Sequence, residues 1–427
     1  MKLVVVGGGS TYTPELADGF ARLRDVLPLE ELVLVDPASE RAELVAGVVR
    51  RMLARHGHPA RVVVTDSVEK GAEGADAVLL QLRVGGQAAR LGDETFPLEC
   101  GCVGQETVGA GGLAKALRTV PVVLSVAERV RAVAPDAWII DFTNPVGIVT
   151  RALLDEGHRA VGLCNVAIGY QRRIAELLGV PADQVSLDHV GLNHLTWERG
   201  VRVRSGALAG RDLLPELLAS HGAELASGLG VPLDLMVRYG AVPSYYLRYY
   251  WGHDAVVAEQ RAAGAVSRAS AVAEVEAQLL TAYGDPTLDT KPELLSQRGG
   301  AFYSEAAVEL LAALLGSAAD APPLVADVRN NGTFAGLPDE AVIEVPCRVT
   351  VDGPVPVALE PLGPLHAGLV AHTAAYEELA LDAALRGGRD RVFDALLAHP
   401  TIGQVGLADS LADRLIAAGK EHLAWAR

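Results

Sequence analysis

The chain has 427 residues, 50% hydrophobic and 21% charged, a globular composition long enough for two or three lobes, which excludes disorder, collagen and coiled coil. Its net charge of −16, from 37 Lys and Arg against 53 Asp and Glu, repels polyanions and argues against a nucleic-acid partner. Four cysteines, Cys100, Cys102, Cys164 and Cys347, are too few for a disulfide framework in so long a chain and suit a reducing compartment.

The opening MKLVVVGGGS offers too short an apolar stretch for a signal peptide, and runs such as 76–82 and 120–127 fall below the roughly 18 residues of a spanning helix. No membrane association is expected, and the expected location is the cytoplasm. Short apolar runs predict strands at 2–7, 31–36, 61–65, 76–82, 137–142 and 160–164. Amphipathic stretches predict helices between them at 14–26, 38–56, 112–133, 145–156 and 168–179, with Pro121 expected to kink or break the third. The alternation reads as a Rossmann-like, doubly wound parallel sheet whose strands are covered on both faces. After about residue 185, DHVGLNHLTW and ERGVRVRSG read as sheet. Helices follow at 256–283, 304–316, 366–386 and 403–421, with strands near 323–332 and 341–353, so the second domain is mixed α+β and mainly helical. The expected division is 1–165, dinucleotide-binding, and 166–427, carrying the metal and substrate residues and the oligomer contacts.

Gly7, Gly8 and Gly9, followed by Ser10 and Thr11, join the first strand to the first helix, where backbone N–H groups can approach a pyrophosphate. Tyr12 stands where the usual third glycine would fall, so a plain tight turn is also possible. Asp36 closes the second strand, where a carboxylate accepts from an adenosine ribose and favours NAD over NADP. Asn144, in DFTNPVGIVT, either caps a helix or faces a ligand at the carboxyl edge of the sheet. Cys164 and His194 are chemically suited to a divalent ion, but a cysteine or histidine so placed is more often structural packing. In VPSYYLRYYW, tyrosines at near-helical spacing suggest a packed aromatic face, although a tyrosine beside a cation can act as a general base.

Taken together, GGGSTYTPEL, RVGGQAARLGDE, GQETVGAGGLAKALRTVP, DFTNPVGIVT, VGLCNVAIG, GLNHLTW, VPSYYLRYY and VSRASAVAEVEAQLL resemble the family 4 glycoside hydrolases, in their 6-phospho-β-glucosidase branch. The resemblance implies NAD and a divalent ion, commonly Mn2+, as cofactors. It makes Cys164 and His194 the metal ligands, Tyr246 the base with Tyr245 as the fallback, and Arg90, Asn144, Asn165 and Arg268 the substrate contacts. Gly7 to Thr11 and Asp36 keep the cofactor. The implied reaction lends a hydride from sugar carbon 3, so that the hydrogen on carbon 2 becomes acidic. Elimination at carbon 1, addition of water and return of the hydride complete hydrolysis of a 6-phospho-β-glucoside such as 6-phospho-cellobiose. Asn165 follows the ligand cysteine and has no proton to give as an acid, which disfavours α-glycosidase chemistry. Relatives are homodimers or homotetramers, and a phosphorylated glycoside is the only other partner implied.

Two readings compete: an NAD-dependent 2-hydroxy acid dehydrogenase, with a His189 or His194 and Asp188 arrangement, and a family 4 glycosidase for an α or non-phosphorylated glycoside. A non-catalytic sensor of NAD or sugar phosphate would have little need of Cys164, His194 and Tyr246 together. For a phosphorylated substrate, the overall charge must be overcome by a local basic cluster, of which Arg90 and Arg268 are the members legible in sequence.

Overall fold

A computed structural model describes residues 1–206, 208–299, 302–316 and 322–426. Six parallel strands come first: β1 (Lys2–Val6), β2 (Glu31–Val35), β3 (Arg61–Thr65), β4 (Ala77–Leu80), β5 (Trp138–Asp141) and β6 (Ala160–Gly162). They lie in the order β3-β2-β1-β4-β5-β6, the doubly wound arrangement that the alternating pattern predicts. The uninterrupted apolar runs are explained by their packing. Leu3, Val5, Leu32, Leu34 and Ile140 enter a core on one face, while Val4, Val6, Val33, Val35 and Ile139 enter a core on the other.

A second sheet contains β7 (Val185–Leu192), β8 (Leu195–Val203) and the short β9 (Val242–Pro243), all antiparallel. The three later strands, β10 (Leu324–Arg329), β11 (Val342–Thr350) and β12 (Gly353–Pro356), do not form a sheet of their own. They extend the first sheet antiparallel to nine strands, joined where Asp327 of β10 pairs with Gly162 of β6. Residues beyond 165 also cover the sheet: helix Tyr303–Leu314 packs into one core, and Pro364–Arg386, Arg389–Ala398 and Val405–Gly419 into the other. A sequence boundary at 165 therefore runs through a shared sheet and shared cores.

Two local expectations are corrected. Helix Gly109–Val133 runs unbroken through Pro121. Pro121 itself is on the exposed side of the helix, while Val120 and Val123 anchor the inner face. This helix is long and apolar enough to cross a membrane, but it is mostly buried against the C-terminal helices as a core element. The stretch 256–283 forms two helices, His253–Arg261 and Arg268–Tyr283. Gly264 at φ +82° turns the chain between them, and Ser267 Oγ caps the second by accepting from Ser270 N at 3.1 Å.

Candidate active site

A cavity of about 1270 Å³ opens along the carboxyl ends of the parallel strands. Its dinucleotide end begins at Gly7, whose φ of +89° reverses the chain after β1. Gly8 is buried beneath the turn, and a Cβ there would be 2.6 Å from Leu34 Cβ. Asp36 fastens the turn to the end of β2, accepting from Gly9 N at 2.9 Å and Ala38 N at 2.9 Å. Gly7, Gly9, Ser10 and Asp36 line the cavity. Gly8 and Thr11 do not: Thr11 is fully buried and its hydroxyl accepts from Arg298 Nε at 2.8 Å, so both shape the turn from beneath. A cradle that no side chain fills, with a carboxylate at its edge, fits a dinucleotide.

Asn144, Asn165, Arg90, His194, Tyr246 and Arg268 all face the same space. Asn144 does not cap a helix, since Pro145 occupies that position, and its buried Oδ1 has no hydrogen-bond partner among the described residues. A buried acceptor without a protein partner is one that a ligand hydroxyl can satisfy. Asn165 begins helix Val166–Leu178. Arg268 sits near the rim, donating to Gln297 O at 2.9 Å.

His194 lies in the two-residue turn between β7 and β8 at φ +63°, an uncommon backbone for any residue but glycine. Its Nδ1 is hydrogen-bonded with Thr107 Oγ1 at 3.1 Å, which leaves Nε2 as the nitrogen for a metal. Burial pushes its pKa down to about 4, so the imidazole is neutral at physiological pH, the state a metal ligand needs. The ring stacks on Tyr246 with centroids 3.6 Å apart. Burial pushes the Tyr246 hydroxyl well above its ordinary value, followed by repulsion from Cys164, with Arg90 acting in the opposite direction. Tyr245 lines the same cavity but is 40% exposed, and its hydroxyl accepts from Arg248 Nη1 at 2.9 Å, whereas Tyr246 is buried against His194.

Cys164 is buried just behind the cavity wall. Burial, then the carboxylates of Glu344 and Asp327, hold its thiol well above the ordinary range, while hydrogen bonds from Val166 N–H and the Asn193 side chain favour the thiolate. Among the described residues no set of three His, Cys, Asp or Glu side chains surrounds a metal position. One sulfur and one imidazole nitrogen fit a divalent ion that takes its remaining ligands from substrate and water.

The cavity lining is less acidic than the chain as a whole. Seven Lys and Arg side chains line the cavity against five Asp and Glu, a small positive excess on a strongly acidic chain. At its centre Glu106 gathers Lys115 Nζ at 2.6 Å, Arg83 Nη1 at 2.5 Å and Arg90 Nε at 3.2 Å. Burial alone would raise the Glu106 pKa, but Lys115, Arg83 and Arg90 together hold it well below its ordinary value. Burial pushes Lys115 down to about 8 against the pull of Glu106. On the dinucleotide side, Arg298 bridges Glu276 at 3.0 Å and Ser10 Oγ at 3.3 Å. Sequence reasoning missed Glu106, Lys115, Arg83 and Arg298. The first three lie in two of the quoted motifs, but only folding gathers them around one carboxylate.

The doubly wound sheet, with its glycine turn and the cavity at its carboxyl edge, places the chain in the class of dinucleotide-binding α/β proteins. The sequence profile described as family 4 glycosyl hydrolase matches residues 2–180, and that of the family's C-terminal domain matches 189–402. The chain belongs to the family 4 glycosyl hydrolases. It is 36% identical, over 99% of its length and 97% of the relative's, to the probable 6-phospho-β-glucosidase of Bacillus subtilis strain 168. Its fold is similar to that of the Thermotoga maritima 6-phospho-β-glucosidase solved with NAD and glucose-6-phosphate, at 31% identity, TM-score 0.89 and 99% coverage of each chain. The same enzyme solved with manganese, NAD+ and glucose-6-phosphate matches at 30% identity, TM-score 0.87 and 99% coverage of each chain.

Proposed function

We propose that this protein hydrolyses 6-phospho-β-glucosides with NAD and a divalent metal, manganese being the first candidate. The observation that carries the reading is the meeting of the glycine turn, the His194–Tyr246 stack and the open Asn144 acceptor in one cavity. Family membership sets aside the dehydrogenase reading, and it also explains why a hydrolase needs no pair of acid and base carboxylates.

When bound, NAD+ would supply a hydride acceptor and the divalent ion a Lewis acid. The protein's own residues then divide the work. Residues 1–165 cradle the dinucleotide through Gly7, Gly9, Ser10 and Asp36, and residues 166–427 contribute His194, Tyr246 and Arg268. Cys164 and His194 are the metal donors. Tyr246 removes the proton from carbon 2, a task for which its hydroxyl must ionise, and only a nearby cation can offset the burial that opposes this. Arg90, Asn144, Asn165 and Arg268 orient the sugar. The cations around Glu106 favour a phosphorylated substrate. Asn165 faces the cavity and has no acidic proton, which supports the β-glycoside.

A cytoplasmic location and a homodimeric or homotetrameric state complete the proposal. All four cysteines are free thiols, which suits a reducing compartment. The decisive experiment is a panel of p-nitrophenyl α- and β-glycosides, with and without 6-phosphate, assayed with NAD, manganese and a thiol. Release of nitrophenol from the 6-phospho-β-glucoside alone is the expected result, and preference for an α or non-phosphorylated glycoside overturns it.

A further inference from the structure

Cys164 follows β6 of the large sheet, and His194 sits at the tip of the β7–β8 hairpin of the small one, so their relative position depends entirely on noncovalent contacts. His194 is also held in a left-handed backbone conformation that a residue with a side chain avoids unless its surroundings impose it. Asn193 stands immediately before it. Its Nδ2 donates to Glu344 Oε2 at 2.7 Å, and the same side chain is close enough to Cys164 to oppose the rise of the thiol pKa. A carboxamide has two N–H donors, so one group can serve both contacts.

Glu344 is itself fixed. Its Oε1 pairs with His189 Nε2 at 2.8 Å, and His189 Nδ1 pairs with Glu198 Oε1 at 2.6 Å, all three side chains being buried. Glu344 belongs to β11, in the sheet that bears Cys164; His189 and Glu198 face each other across β7 and β8, in the hairpin that bears His194. The line Glu198–His189–Glu344–Asn193 therefore runs across the junction of the two sheets and ends at the residue before His194, on the side chain that influences Cys164.

Resting on the assignment of Cys164 and His194 as metal ligands, we propose that Asn193, anchored by Glu344 and His189, is the positioning residue that sets the spacing of the sulfur and imidazole donors. Partners of metal ligands that do not touch the metal commonly change its affinity by about 10–100-fold when removed. Ordinary structural glue would instead change stability and leave metal affinity alone.

The test titrates Mn2+ into NAD-loaded protein at fixed pH, following free Mn2+ by electron paramagnetic resonance, with thermal unfolding and NAD affinity measured in parallel. Asn193→Ala is expected to bind Mn2+ about 10–100-fold more weakly with NAD affinity and unfolding temperature retained. Glu344→Gln, which keeps the shape and an acceptor, is expected to shift affinity in the same direction, and it replaces Asn193→Ala if that variant proves too unstable to titrate. The parental affinity in Asn193→Ala, with Mn2+ binding lost in Cys164→Ser, overturns the positioning role alone. Unchanged binding in Cys164→Ser overturns the ligand assignment and the positioning role with it.

Discussion

The imidazole of His194 lies flat on the ring of Tyr246, 3.6 Å between centroids and 7° from parallel. The side chains proposed as metal donor and as proton acceptor are thereby held together as one stacked pair. Tyr246→Phe keeps the stacked ring and removes only the hydroxyl. It is expected to lower kcat by about 10²–10⁴-fold and to suppress exchange of the carbon 2 hydrogen with solvent, read by deuterium incorporation. Tyr245→Phe, altering a hydroxyl that Arg248 already occupies, is expected to leave that exchange intact.

Cys164→Ser replaces a soft donor by a hard, neutral one in a buried position. The variant is expected to fold, with metal-dependent activity lost, and full activity in metal-free buffer would refute the ligand assignment. In the parent, air oxidation is expected to abolish activity and a thiol to restore it, provided oxidation has stopped at a reversible stage.

Gly8→Ala tests the floor of the dinucleotide turn. The new methyl would be 2.6 Å from Leu34 Cβ and 2.8 Å from Leu34 Cα, and neither can move without shifting β2. A loss of about 1–3 kcal/mol in denaturant unfolding is expected, together with weaker NAD binding.

His189 gives stability a pH signature. Burial alone would depress its pKa, but Glu198 and Glu344 overcome this and push it up to about 10 from an ordinary 6.5. A group raised on folding stabilises fully below its unfolded value and loses that contribution as pH rises through its folded one. Unfolding midpoints are therefore expected to fall between pH 6.5 and about 10, and His189→Gln is expected to flatten this decline.

Hydride borrowing predicts catalytic use of the cofactor. Enzyme stripped of NAD is expected to be inactive, to recover with added NAD and to accumulate no NADH during turnover. Substrate deuterated at carbon 3 is expected to react no faster than the protiated form. Undiminished cleavage without dinucleotide would refute the mechanism.

Much of this was legible in the chain itself. Apolar runs separated by amphipathic stretches determine β1 to β6 and their helices, because each run must bury both faces and each helix one. The glycine turn, Asp36, Asn144, Cys164, His194 and Tyr246 stand in short motifs whose residue types carry their own chemistry. Ser267 likewise signals its helix start locally, so the break in 256–283 could have been read.

Tertiary structure alone decided how the pieces meet. Strand periodicity does not say which sheet β10 will join, because the pairing of Asp327 with Gly162 links residues far apart in the chain. Nothing local singles out Lys115 and Glu106, and only the approach of Arg83 and Arg90 makes them a buried hub. Glu344 and Asn193, 151 positions apart, become neighbours through the same long-range folding. Local pattern records what each residue prefers for itself, whereas buried charges and strand partners are selected by groups that arrive from elsewhere.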